Sequence, residues 1–173
     1  MKTLCVVLLF WGSVASAATA APFGIPQGTP IKSLKVVDRF GVRSFVIVPP
    51  KPNSNFVDYV AIASPPDGVC ALRAATDTFP TYRAAYAKQE QLQRLLSIYG
   101  KPKSLSAGAD QDWLNMAPGE VPVRWSGALP YGLRSIRLET VGNKGVYKVE
   151  VTYSYGNIER CSNWEPRQDR RGL

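Results

Sequence analysis

Apolar and polar positions along this chain fall into two rhythms, one of period two and one of period 3.6, and they divide it into strands and one long helix. The clearest alternation runs over residues 146–155, where Tyr147, Val149, Val151, Tyr153 and Tyr155 share one face and Lys148, Glu150, Thr152 and Ser154 the other. Successive side chains leave a strand on opposite sides, so this pattern predicts one buried face and one wet face. Residues 133–141 precede it across the turn Gly142-Asn143-Lys144-Gly145, and the two read as a hairpin. Residues 121–126 form a shorter strand.

Upstream, residues 42–48 are β-branched and aromatic and are stopped by Pro49-Pro50-Lys51-Pro52, whose prolines cannot donate to a ladder. Residues 59–63 and 69–75 flank the turn residues 64–68 and read as an antiparallel hairpin that carries Cys70. Over residues 81–99 the period lengthens. Tyr82, Ala85, Tyr86, Leu92, Leu96 and Tyr99 recur at helical spacing, and Gly100-Lys101-Pro102 supplies the stop. A second helix start signal, Thr29-Pro30, predicts a short helix that packs Ile31, Leu34 and Val37 inward and ends before Gly41. Residues 105–118 have no sustained period and read as a loop anchored by Trp113. The order of elements predicts an α+β fold: a single antiparallel sheet of five to six strands, one long helix packed on a face, and a short N-terminal helix.

The first residues change the picture of where this domain works. Lys2, an apolar run from Leu4 to Trp11 and the small residues Ala15-Ser16-Ala17 read as a signal peptide cleaved after residue 17, with Ala18-Thr19-Ala20 offering an alternative site after residue 20. The apolar run is about half the length of a membrane-spanning helix. Residues 18–165 then make one domain, followed by a flexible basic tail over residues 166–173, and the expected location is periplasmic or secreted, with no transmembrane segment in the mature chain. Cys5 leaves with the signal. In an oxidising compartment Cys70 and Cys161 are left with each other, and a disulfide follows.

Several landmarks together resemble a group of small exported bacterial proteins of unassigned function. They are residues 23–30 (FGIPQGTP), residues 49–53 (PPKPN), Tyr59-Val60, Gly68-Val69-Cys70, Tyr99-Gly100-Lys101-Pro102, and a tyrosine-rich last strand before Cys161. The resemblance implies export and the cysteine pair, and it implies no activity. Residues 104–118 depart from it.

Candidate chemistry is limited by the absence of histidine from all 173 residues. That removes Ser-His and Cys-His nucleophiles, His-ligated zinc and histidine acid–base catalysis. No Ser-x-x-Lys, Gly-x-Ser-x-Gly, phosphate-cradling loop or dinucleotide fingerprint occurs. No cofactor and no metal are expected. A carboxylate-based hydrolase would need Asp110, Asp112 or Glu120, acids on the loop before the fourth predicted strand.

Charge points instead to binding. The chain has 21 Lys plus Arg against 13 Asp plus Glu, a net +8, and loss of Lys2 with the signal leaves 20 minus 13, or +7. Around the long helix Arg83, Arg94, Lys101 and Lys103 stand in an acid-poor stretch, with Glu90 placed to pair with Arg94. The expected function is a non-catalytic binding or interaction module of the cell envelope. Its ligand would be an anionic envelope lipid, a glycan or an acidic protein, and not a specific nucleic acid. A third reading is an inhibitor of a secreted enzyme that presents the proline-rich loop at residues 49–55.

Overall fold

The computed structural model describes residues 21–104, 122–143 and 145–164. Among them eight strands form one antiparallel sheet: β1 Lys35–Phe40, β2 Ser44–Val48, β3 Asp58–Ser64, β4 Gly68–Ala75, β5 Lys103–Ser104, β6 Val123–Ser126, β7 Leu133–Asn143 and β8 Val146–Tyr155. Their spatial order is β1-β2-β3-β4-β8-β7-β6-β5. Two four-stranded meanders therefore meet along the β4–β8 seam. Between them the chain passes through α1, Tyr82–Leu95, continued by a 3₁₀ turn at Leu96–Tyr99. A short helix, α2 Ile158–Asn163, follows β8.

Eight strands replace the expected five to six, and the short N-terminal helix is absent. In its place a 3₁₀ turn forms at Ile31–Ser33. The Thr29 hydroxyl donates back to the Pro26 carbonyl at 2.8 Å instead of capping a helix. Residues 35–40 then run as a strand against β2, exposed at all six positions, so pairing with β2 takes the place of the inward packing expected of a helix. The other missed strand, β5, is two residues long, too short to carry any alternation.

Register shows why one sheet face is dry. Val123 and Trp125 on β6, Ile136 and Leu138 on β7, Val149, Val151, Tyr153 and Tyr155 on β8, and Leu72 and Ala74 on β4 all lie on one side and are buried. α1 covers β7 and β8 there with Ala85 and Leu92, and the 3₁₀ turn that continues it adds Leu96 to the same core. Its start is capped by Thr81, whose Oγ1 accepts the Ala84 N–H at 3.2 Å. Within the same contact the Thr140 hydroxyl donates to Gln89 Oε1 at 2.8 Å, a buried polar pair that fixes the helix on β7. Trp125 Nε1 donates to the Gly100 carbonyl at 2.9 Å and so holds the turn that ends the helical segment.

The rest of that face is covered by the N-terminal segment. Ile25 is fully buried, and the Phe23 ring stands edge-on to Tyr59 at 5.0 Å and Tyr153 at 5.5 Å. The segment is strapped down by hydrogen bonds from the Gly28 N–H to the Val69 carbonyl and from the Val69 N–H to the Thr29 carbonyl, both 2.9 Å. The buried Tyr155 hydroxyl adds a donation to the Ile25 carbonyl. Tyr155→Phe leaves that carbonyl unpaired and is expected to lower stability by about 1–2 kcal/mol in urea denaturation. No change in midpoint would mean the strap is held without it.

Cys70 and Cys161 are fully buried and bonded, with 6.3 Å between their Cα atoms. The bond ties α2 to β4. Arg43 also holds α2, donating to the carbonyls of Cys161 at 2.9 Å and of Ser162. Asn157 Nδ2 donates to the Asp67 carbonyl at 3.0 Å, and Arg160 pairs with Asp67 at 3.1 Å. No helix among the described residues is long and apolar enough to cross a membrane.

Candidate functional site

All four cations named from the sequence are exposed, but the fold distributes them over two surfaces. Arg83 and Arg94 lie eleven residues apart on α1, three turns and about 16 Å along its axis, on the stripe opposite the buried Ala85, Gln89 and Leu92. Neither has a carboxylate within ion-pair distance among the described residues, and the expected Glu90–Arg94 pair does not form. Arg94 lines a shallow depression of about 260 Å³ with Glu90, Gln93, Ser97 and Pro102, which brings it beside the turn that carries Lys101.

Lys103 belongs to the other surface. On β5 it stands directly opposite Arg124 of β6, and Arg124 in turn stands opposite Arg137 of β7. Because Val123 and Trp125 point into the core, Arg124 and its cross-strand neighbours point out of the open face of the sheet. The register continues from Arg137 to Thr152 of β8 and from Thr152 to Arg73 of β4. Like charges placed directly opposite repel one another, so the two successive pairs Lys103–Arg124 and Arg124–Arg137 oppose sheet formation.

Two carboxylates partly offset this. Glu139 accepts from Arg137 at 2.8 Å, and Glu150 sits 2.8 Å from Lys148 and 3.8 Å from Arg73. Lys103 and Arg124 have no carboxylate partner among the described residues. Two further residues along each strand, on the opposite side of the cation row from Glu139 and Glu150, Ser126, Ser135 and Ser154 stand in register.

The open face also carries two depressions that share Asp58 and Lys148. One, about 430 Å³, is lined in addition by Val57, Asp77, Val141 and Val146, and the other, about 200 Å³, by Phe40, Val46, Val60, Arg73 and Glu150. Among the described residues no three Cys, Asp or Glu side chains converge as a metal site would require. Burial, and secondarily neighbouring phenols, raise the pKa of Tyr153 and Tyr155, so both stay neutral near pH 7 and neither supplies a base. Asp110, Asp112 and Glu120 lie outside the described residues.

Sequence reasoning missed Arg124, Arg137 and the serine row. The local signal was present, since Arg124 alternates with Val123 and Trp125, and Arg137 with Ile136 and Leu138. What it lacked was register, which alone decides which cations on separate strands become neighbours. Compared with known protein families, with curated proteins and with solved structures, the chain matches none of them.

Proposed function

We propose that this chain is an exported, non-catalytic binding or interaction module of the bacterial cell envelope that meets an anionic ligand through its basic surface. The observation that carries the reading is unneutralised charge. Arg83, Arg94, Lys101 and Lys103 are exposed without an acidic partner among the described residues, whereas Arg73, Arg134, Arg137, Lys148 and Arg160 are each ion-paired. Cations left in this state raise the local concentration of anions and speed their encounter. Export is supported by the signal-like start of the sequence and by the buried disulfide, a bond that persists in oxidising compartments.

Retention on an anionic matrix tests this. It should be strong at about 0.05 M salt and lost at 1 M, where the Debye length is about 3 Å. Arg83→Glu with Lys103→Glu, which reverses one charge on each surface, should elute at markedly lower salt with its fold intact. Retention unchanged in that variant, or absent at low salt in the parent, ends the proposal.

One observation favours the inhibitor reading as a second choice. Residues 50–54 are exposed, yet the loop is braced: the Asn53 N–H donates to Tyr59 Oη, whose hydroxyl donates back to the Asn53 carbonyl, both at 2.8 Å. The Lys51 N–H is held by the Phe23 carbonyl at 3.1 Å. Such a loop could enter an enzyme's cleft with little entropy left to lose.

A further inference from the structure

We propose that the open face of the sheet binds an acidic glycan laid across the strands, along the row Lys103, Arg124, Arg137 and Arg73. This rests on the anionic-ligand reading above and gives it a ligand class. It also narrows that reading to the surface that carries Lys103 and Arg124, unpaired among the described residues, with the ion-paired Arg137 and Arg73 continuing the line. The row crosses five strands, with Thr152 filling the β8 position. At about 4.8 Å between strands it spans about 19 Å, in single-strand steps from Lys103 to Arg137 and a double step from Arg137 to Arg73. Protection of an exposed edge accounts for a cation on β5 or β6. It does not account for Arg137 and Arg73, which lie on interior strands in the same line.

The surroundings choose the ligand. Glu139 and Glu150 stand opposite each other on one side of the row, and the serines stand on the other. An anion on the row is therefore pushed from the carboxylate side and met by the hydroxyls of Ser126 and Ser154 on the serine side, Ser135 being buried. From β5 to β8 neither row contains an aromatic or a large apolar residue, so there is no platform on which successive bases could stack and nothing to insert among acyl chains. Arginine forks suit carboxylates or sulfates, and Ser126, Thr152 and Ser154 suit ring hydroxyls. At β3 the row ends in the depression walled by Phe40, Val46 and Val60, which can receive the apolar face of a terminal sugar. An anionic group recurring once per sugar matches Lys103, Arg124 and Arg137, which recur once per strand from β5 to β7, and Arg73 stands one strand beyond Thr152.

The folded, oxidised chain should be titrated calorimetrically at low salt with an oligogalacturonate, a single-stranded oligonucleotide of similar charge, and vesicles of phosphatidylglycerol with phosphatidylcholine. The oligogalacturonate should bind tightest of the three. Lys103→Gln with Arg124→Gln should weaken it on the order of tenfold and make its salt dependence shallower. The thermal midpoint of that variant should hold or rise, because repulsion within the row is relieved. Arg83→Gln with Arg94→Gln, cations on the far surface, should weaken it less than the sheet pair does, through overall charge alone.

If the helix pair weakens the oligogalacturonate and the sheet pair does not, the row is the wrong site while the anionic-ligand reading stands. Tighter binding of the oligonucleotide or the vesicles overturns the glycan class. Failure to bind any of the three removes both proposals.

Discussion

Removing the bond between Cys70 and Cys161 should lower the stability of the folded chain by about 4–5 kcal/mol. The two cysteines are 91 positions apart, and cross-linking a loop of that length withdraws this much conformational entropy from the unfolded chain. A small domain is stable by only about 5–15 kcal/mol, so reduction takes away more than a quarter of the total. The folded side of the balance changes less. α2 keeps its links through Arg43, Asn157 and Arg160, and β4 keeps both neighbouring strands. Urea denaturation of the oxidised chain against Cys70→Ala with Cys161→Ala measures the difference. A change under about 1 kcal/mol, or two thiols titrating in the denatured but unreduced protein, would refute it.

Gly68→Ala should cost about 3 kcal/mol, and the reason lies in the strap. Gly68 has φ +62°, and a Cβ there would stand 2.2 Å from the Gly28 carbonyl oxygen and 2.8 Å from that of Thr29. Both obstacles are backbone, so neither can rotate aside. The variant must pull the β3–β4 turn away from residues 28 and 29, losing the two hydrogen bonds to Val69 as well as adopting a left-handed conformation. Gly28→Ala supplies the comparison. It has a similar φ, +75°, but its nearest obstacle is 3.7 Å away, so it isolates the conformational cost at about 1 kcal/mol. Equal losses in the two variants would show that close approach of the strap is not what Gly68 permits.

Legibility followed burial. β8 was readable because its alternation is complete and one face is dry, and α1 because its apolar arc is buried and its ends carry a threonine cap and a glycine stop. β1 was not. Its Val-Val-Asp-Arg-Phe run after Thr29-Pro30 has spacings compatible with a helix, and only pairing with β2 decides for strand, an interaction between residues that sequence position does not reveal. α2 escaped for the opposite reason, being six residues whose main anchors are a disulfide and side chains of distant elements. The basic surface shows both cases. Arg83 and Arg94 share a stripe by helical periodicity, which sequence contains, while Lys103 joins Arg124 only through strand register, which it does not.

The seam between the meanders also sets an order of assembly in time. A chain appearing N-terminus first can form β1 to β4, but the inner edge of β4, residues 71–75, stays unpaired until residues 150–154 arrive to close it. Four of those five β4 residues are apolar and end up buried, and such an edge invites pairing with another molecule while it waits. The rate at which this distant pairing forms, more than final stability, therefore governs how much chain is lost to association during folding. Cys161 lies beyond β8, so its bond to Cys70 can form only after the strand that closes the seam has appeared.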